Sequence, residues 1–458
     1  MNNKNNSKEA ITKTIRKSAP AILTALIATA LGLLSLYISP VPMIQDFGKM
    51  LTIGMIVSFI VALLILLPVL FVRDYFFHIE NKKKKTKKSN KFENIMNKIT
   101  KTVLKFKYII LVLAIGSAAL GVYYDQKVGV ETDIETFMPQ DTQELLDIRE
   151  LREIIGSTEQ LSIVYSSYDI YTDDNLDWIV DITNNLQSEF PDEIIKVKSI
   201  SSVLNQLTTE HLTPNLVTNL TKNLPAEQLK MLVNEDATKG VIIVSINDLE
   251  SDELETFIEN LKIYLDNSIT NMDVTVTGQA VIDVEMITAL TTGRYTITLV
   301  GMALVFIGLL IIYRNPLKAI IPLIPISLIV GWSGAIMYLY DLKYTPLTAT
   351  LGAMIIGIGT EYTILIMERY FEEKQKTIYT NDAIVITLSK MGKPIIVSAL
   401  TTIGGFSALV ISDFEILSNF GIMTLVNISL ALLSTIIVMP AVLSIQGSIV
   451  SLFHRKKV

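Results

Sequence analysis

A single carboxylate stands in the middle of an apolar stretch of this chain. The stretch Pro346–Met367 carries the run Gly357-Ile358-Gly359-Thr360-Glu361-Tyr362. An ionisable side chain inside lipid costs free energy, and its usual roles are proton or ion carriage and charge pairing. Glu361 has the chemistry of a proton acceptor, and Tyr362 beside it adds a hydroxyl that can donate or accept. Gly357 and Gly359 on the preceding turn let a neighbouring helix approach and leave room for water. Farther on, Thr401 and Thr402 bring two hydroxyls to another apolar stretch. The competing reading of Glu361 is a structural pair, or a side chain extended toward the interface. Glu368 and Arg369 read as a helix-end charge pair, and Asn427 as an interhelical hydrogen bond.

Other chemistries find little support. There is no cysteine, hence no disulfide and no thiolate metal site. His78, His211 and His454 are scattered and make no metal-ligand spacing. No Gly-rich phosphate loop occurs, which disfavours an ATP-driven pump. No nucleophile–base motif is visible, so no enzyme is expected. No cofactor, metal or nucleic-acid partner is expected either.

The elements that must position Glu361 are membrane helices. Half of the residues are hydrophobic, and they are clustered. A bilayer core of ~30 Å needs about 20 apolar residues per helix. That ruler predicts eight spans, at Ala19–Ile38, Met50–Val72, Tyr108–Tyr124, Tyr295–Tyr313, Ala319–Tyr340, Pro346–Met367, Ile395–Ile411 and Phe420–Ile445. The first run is too long for a signal-peptide core and reads as an anchor. Lys and Arg in short loops stay cytoplasmic. Lys13, Arg16 and Lys17, the run Lys82-Lys83-Lys84-Lys85-Thr86-Lys87-Lys88, Arg314 and Lys318, Lys390 and Lys393, and the tail Arg455-Lys456-Lys457 all fall on one side if the spans alternate. Both termini are then cytoplasmic in the cell membrane. The lysine run reads as an anchor, with binding of anionic membrane lipid as a second reading.

The resulting organisation has six parts. Residues 1–75 hold two spans, 76–107 a basic linker, 108–124 one span, 125–294 an external domain, 295–447 five spans and 448–458 a basic tail. Within 125–294, Leu161–Tyr165, Gly240–Ile246 and Val274–Val276 read as strands. Leu176–Leu186 and Leu254–Leu265 have helical spacing. Strands alternating with helices predict an α+β domain of ferredoxin-like type. Ser201–Asn234 reads as a polar, more helical insertion.

The first two spans resemble the last two. Ala10-Ile11, Pro20, Thr29, Gly32, Ile38-Ser39, Phe47-Gly48 and Pro68 recur in order as Ala383-Ile384, Pro394, Thr402, Gly405, Ile411-Ser412, Phe420-Gly421 and Pro440. One constant offset holds from the alanine pair to the Phe-Gly pair, apart from one-residue slips at the prolines. Duplicated halves are a hallmark of secondary transporters.

With these motifs the chain resembles a known group, the resistance–nodulation–division (RND) superfamily of exporters, in its MMPL and hopanoid-transporter branch. Glu131-Thr132-Asp133 and Phe137-Met138-Pro139-Gln140-Asp141 resemble the start of that family's external domain. Gly357-Ile358-Gly359-Thr360-Glu361-Tyr362 resembles its Gly-x-Gly-x-Asp-Tyr helix. Ser398-Ala399-Leu400-Thr401-Thr402-Ile403-Gly404-Gly405-Phe406 is a close match, and Asn419-Phe420-Gly421 follows. The resemblance spans essentially the whole chain but only the later part of a complete member, without the first four helices and the first external domain.

It implies proton-driven export of lipids or other amphiphiles. It implies a relay of Glu361, Tyr362, Thr401 and Thr402, with Gly357, Gly359, Gly404 and Gly405 packing helices around it. Glu361 stands where the family has Asp. The first-half counterpart of this site is absent, so a homo-oligomer or a partner chain supplying the missing half is expected. Two other functions compete: a non-transporting lipid-sensing or assembly subunit, and an accessory subunit of Sec-type protein translocation.

Overall fold

A computed structural model describes residues 20–455 apart from 67, 70–71, 74–90, 132–138, 140–141, 148–149, 151–158, 209, 223, 248, 250 and 269. The lysine run, Ala10-Ile11, His78 and most of the Glu131–Asp141 motif lie outside the described residues.

In chain order the elements are α1 (Pro20–Ile38), α2 (Pro42–Val61), α3 (Lys91–Lys105), α4 (Lys107–Asp125), β1 (Gln160–Ser166), α5 (Asp173–Glu189), β2 (Ile194–Lys198), β3 (Lys239–Ile246), α6 (Ser251–Asp266) and β4 (Asp273–Gly278). There follow α7 (Gln279–Thr288), α8 (Arg294–Tyr313), α9 (Leu323–Leu339), α10 (Leu351–Lys374), α11 (Thr380–Phe406) and α12 (Glu415–Arg455). The chain forms two compact units, Met1–Pro139 with Ala289–Val458, and Gln140–Thr288.

The first unit holds the membrane helices. Among the described residues eight helices are long and apolar enough to cross a bilayer, and each coincides with one of the eight expected spans. Several run farther than the apolar ruler suggests. The span expected at Tyr295–Tyr313 is continuous from Gln279, through a wide π-helical turn at Ala289–Gly293. Prolines open helices where a missing N–H costs nothing: Pro42 starts α2, and Pro316 starts the short helix Pro316–Ile320 under an Asn315 cap. Helix α10 is the centre of the bundle. Of its apolar window 78% is buried, against 11% for the spans containing α2 and α11.

Helices α4 and α9 approach most closely. Ala114, Ala118 and Gly121 lie on one face of α4 and are buried. A Cβ on Gly331 of α9 would collide with the backbone carbonyl of Ala118, and one on Gly121 with that of Gly331. Small residues at such a seam let two backbones pack in lipid. Gly331→Val is therefore expected to cost about 1–3 kcal/mol or more through overpacking. Thermal unfolding in detergent checks this. Gly116→Val on the same helix as Gly121, where a Cβ meets nothing within 4 Å, should leave the midpoint unchanged.

The repeated segments also share local geometry. Helix α1 closes in a tight turn where the Ser39 amide donates to Leu36 O at 3.2 Å, and the Ser412 amide does the same to Leu409 O at 3.0 Å. Each serine Oγ then accepts from the amide two residues on, Val41 or Phe414, at 3.2 Å. A Cβ on Gly48 would meet Leu36 Cβ at 2.7 Å, and one on Gly421 would meet Leu409 Cβ at 2.8 Å. The equivalent Phe47 and Phe420 rings touch each other edge to face, 5.7 Å apart. Contact between equivalent residues is the signature of a pseudo-two-fold axis passing between them.

The second unit is a four-stranded antiparallel sheet in the order β2-β3-β1-β4, with helices between β1 and β2 and between β3 and β4. This βαββαβ arrangement is ferredoxin-like. Alternation explains the sheet: Leu161, Ile163 and Tyr165 of β1 and Ile242, Val244 and Ile246 of β3 are fully buried, with less buried residues between them. Ile179, Ile182 and Leu186 of α5 and Phe257, Leu261 and Leu265 of α6 complete that core. Strand β2 has no counterpart among the expected strands; it is an edge strand of five residues with one buried position. Its Lys196 and Lys198 suit an edge that must not pair further. The insertion after β2 contains three short helices, Ile200–Leu204, Pro214–Thr221 and Ala226–Lys230.

The Tyr165 hydroxyl is buried without a hydrogen-bond partner among the described residues. Burial pushes it well above the usual tyrosine range. An unpaired buried hydroxyl is a net cost of about 1–3 kcal/mol. Tyr165→Phe is expected to raise stability by about 1 kcal/mol, read as a higher thermal midpoint of the whole protein.

Candidate functional site

Helix α10 is set in place by a reciprocal threonine pair. The Thr345 amide donates to Thr348 Oγ1 at 2.7 Å, and the Thr348 amide donates to Thr345 Oγ1 at 3.2 Å. This satisfies amides that a helix start leaves open. The backbone then runs as a tight turn through Thr348–Thr350 into α10.

Glu361 is the only exposed residue of α10. It makes no hydrogen bond and no ion pair with any described residue. Tyr362 is buried, and its hydroxyl interacts with the side chains of Ser398 and Thr402 on α11. Thr402 Oγ1 donates to Ser398 O at 3.0 Å, and Thr401 Oγ1 donates to the same carbonyl at 2.7 Å. The structure thus brings Tyr362 and Thr402 together through Ser398. Thr401 is exposed, and neither threonine bonds to Glu361.

The four glycines divide. A Cβ on Gly357 would meet Thr29 Cγ2 at 3.1 Å, and one on Gly359 would meet Ile326 Cγ1 at 3.0 Å. Both are packing positions for α1 and α9. Gly404 and Gly405 are exposed, and a Cβ added at either would have no atom of a described residue within 4 Å. The expectation that they pack at the relay is corrected: they lie on an open face of α11.

Three features carry no clear mark in the sequence. Thr29 Oγ1 on α1 lies 3.0 Å from both Ala25 O and Gly357 O, so it can donate to the turn before Glu361. Its repeat counterpart is Thr402, the one signal that points to it. Arg369 pairs not with Glu368 but with Glu372 at 2.7 Å and Glu373 at 2.5 Å, and Lys390 joins Glu373 at 3.1 Å. One helical turn separates these partners, so the side chains share a face, which adjacent residues do not. Asn427, expected to bridge helices, is buried with neither amide atom bonded to a described residue.

The third feature is a buried ion pair at the ends of α4 and α8. Arg294 Nη1 donates to Asp125 Oδ2 at 2.8 Å and Nη2 to Asp125 O at 3.1 Å. The Tyr295 hydroxyl donates to Oδ2 at 2.5 Å and the Tyr344 hydroxyl to Oδ1 at 2.6 Å. The guanidinium carbon lies 3.8 Å from the Tyr344 ring centroid and 4.3 Å from that of Tyr295. Burial pushes the Tyr344 hydroxyl well above its ordinary range, so it stays protonated and donates to Asp125 at any physiological pH. Among the described residues no group of side chains could hold a metal ion.

A bundle of eight spanning helices with a carboxylate on its central helix, a repeated pair of helices and a ferredoxin-like unit defines a multi-pass membrane protein of transporter build. The chain belongs to the MMPL family: the family model matches residues 1–105 and again 81–458. It therefore falls in the RND superfamily, whose members are transporters rather than enzymes.

A membrane protein of Methanocaldococcus jannaschii is 26% identical over 332 residues, which is 69% of this chain and 84% of that protein. The sulfolipid-1 exporter MmpL8 of Mycobacterium tuberculosis is 26% identical over 148 residues, 31% of this chain and 14% of the exporter. Among solved structures, the hedgehog release protein Disp of the water bear Hypsibius dujardini superposes with a TM-score of 0.72 at 12% identity. That match covers 94% of this chain and 59% of Disp, and it shows the shared fold.

Proposed function

We propose that this chain exports lipids or other amphiphiles across the cell membrane, driven by proton entry through Glu361. One observation carries the reading. Glu361 is the sole exposed residue of the most buried span, and no cation among the described residues pairs with it. A structural carboxylate would be neutralised by a partner, whereas a carrier must exchange its proton. Tyr362, Ser398, Thr402 and Thr29 surround the same stretch with hydroxyls. The name of the relative MmpL8 supports a lipid substrate.

In this reading the basic ends of the helices face the cytoplasm, both termini lie there, and Gln140–Thr288 belongs to the opposite side. The first two helices are the close of one transporter half, and the six that follow are a second half. In this reading a further set of spans packs over Glu361 and the open face of α11.

Glu361→Gln in lipid vesicles is the test. Loss of export driven by a pH gradient, with the fold retained, is expected. Undiminished export would remove the proposal.

A further inference from the structure

Helix α10 is buried from Ala353 to Met367 except at Ile358, Glu361 and Leu365, and the half-buried Glu368 and Glu372 continue that series. Steps of three and four residues place all five on one face of the helix. Contacts with two other helices flank the face. On one side α1 packs on α10: a Cβ on Gly32 would meet Ile356 Cγ2 at 3.1 Å, and Thr29 sits on Gly357. On the other side α11 brings Ser398 and Thr402 to Tyr362, and Lys390 to Glu373. The stripe is thus the floor of a groove between α1 and α11. It joins Glu361 to the basic end of the helix.

Glu368 is the next carboxylate on this floor, and no cation among the described residues pairs with it. The cations around it are engaged elsewhere. Arg369 holds Glu372 and Glu373, Lys390 holds Glu373, Lys376 holds Glu372, and Lys318 lies 4.3 Å from the centroid of the Phe371 ring. Arg314 is exposed and forms no ion pair among the described residues. What meets Glu368 is a hydroxyl. Tyr313, at the end of α8, lies close enough to interact with the side chains of Glu368 and Thr24, though it completes a hydrogen bond with neither. A phenol can donate to a carboxylate without neutralising it, so Glu368 keeps the capacity to take up a proton.

We propose that Glu368 is a second proton carrier, which passes protons between Glu361 and the basic end of the bundle. The proposal rests on the reading of Glu361 as the first carrier. Seven residues separate the two, an advance of about 10 Å along the axis. Roughly two or three waters at hydrogen-bond spacing span that distance, and Leu365 is the residue between the two carboxylates on the stripe. In the step, the O–H bond of protonated Glu361 breaks, its proton moves along these waters to the Glu368 carboxylate, and Glu361 is left ionised. Glu368 then releases the proton to bulk water.

The test follows the carboxylic-acid infrared band of Glu361 after a pH jump, with the whole protein in nanodiscs. Glu361→Gln identifies the band by removing it. In Glu368→Gln the band is expected to respond about tenfold more slowly or worse, the loss of one positioned proton-transfer group. Glu368→Asp should recover most of the rate. Sodium azide, a small weak base whose acid form carries protons, should restore it in Glu368→Gln, which a merely structural defect would not allow. The thermal midpoint should stay unchanged, because no ion pair is lost.

A response as fast in Glu368→Gln as in the unchanged protein overturns the proposal, and so does a slow response that azide does not restore. The reading of Glu361 fails separately, if no titrating band disappears in Glu361→Gln or if that variant exports normally.

Discussion

Arg294→Ala is expected to destabilise this protein by about 3–5 kcal/mol, the cost of leaving a buried charge without its partner. Arg294 and Asp125 are 7% and 4% exposed. The carboxylate accepts from Arg294 and Tyr295 at Oδ2 and from Tyr344 at Oδ1, so both of its oxygens are engaged. Removing the arginine leaves an anion held only by two phenols. Removing Asp125 instead leaves a guanidinium between two aromatic rings.

Each single change should lower the thermal midpoint sharply or prevent recovery of folded protein. Asp125→Leu combined with Arg294→Met should be milder than the sum of the two, because neither charge is then stranded. Additive losses in that double-mutant cycle would mean that the pair is not coupled. The effect should not follow Glu361, since no hydrogen bond or ion pair among the described residues links the two sites.

The second large effect concerns Glu361. Glutamine has nearly the same volume and can hydrogen-bond, but it cannot take up or release a proton. Positioned proton transfer contributes about 10²–10⁴-fold in rate, and a carrier without a titrating group has no turnover coupled to protons. Glu361→Gln is therefore expected to reduce pH-driven export by about a hundredfold or more, with an unchanged thermal midpoint because no ion pair is lost. Glu361→Asp, a carboxylate on a shorter arm, should retain a measurable part of the activity.

Much of the fold is legible in the sequence because the forces that set it are local. The eight spans follow from apolar runs measured against bilayer thickness. Strands β1 and β3 follow from alternation at Leu161, Ile163 and Tyr165 and at Ile242, Val244 and Ile246. Strand β2 is illegible because an edge strand with one buried residue leaves no pattern.

The site divides in the same way. Glu361 is conspicuous as a charge among apolar neighbours. The Asp125–Arg294 pair is not, because 169 residues separate its members and each reads as a polar residue at a loop boundary. Thr29 is within reach, since the repeat aligns it with Thr402, but its bond to Gly357 O joins residues 328 positions apart. Gly404 and Gly405 mislead because small residues mark close packing only where another helix is present. Asn427 misleads because an amide on a buried helix face is usually satisfied, and here it is not.

The most direct test of the central claim is simultaneous measurement of proton entry and lipid export in vesicles holding the purified protein and a pH-sensitive dye. The account predicts that an imposed pH gradient drives both fluxes in the unchanged protein, and that Glu361→Gln abolishes both while Glu361→Asp preserves them in a fixed ratio. Export by Glu361→Gln at the rate of the unchanged protein, under the same gradient, would contradict it.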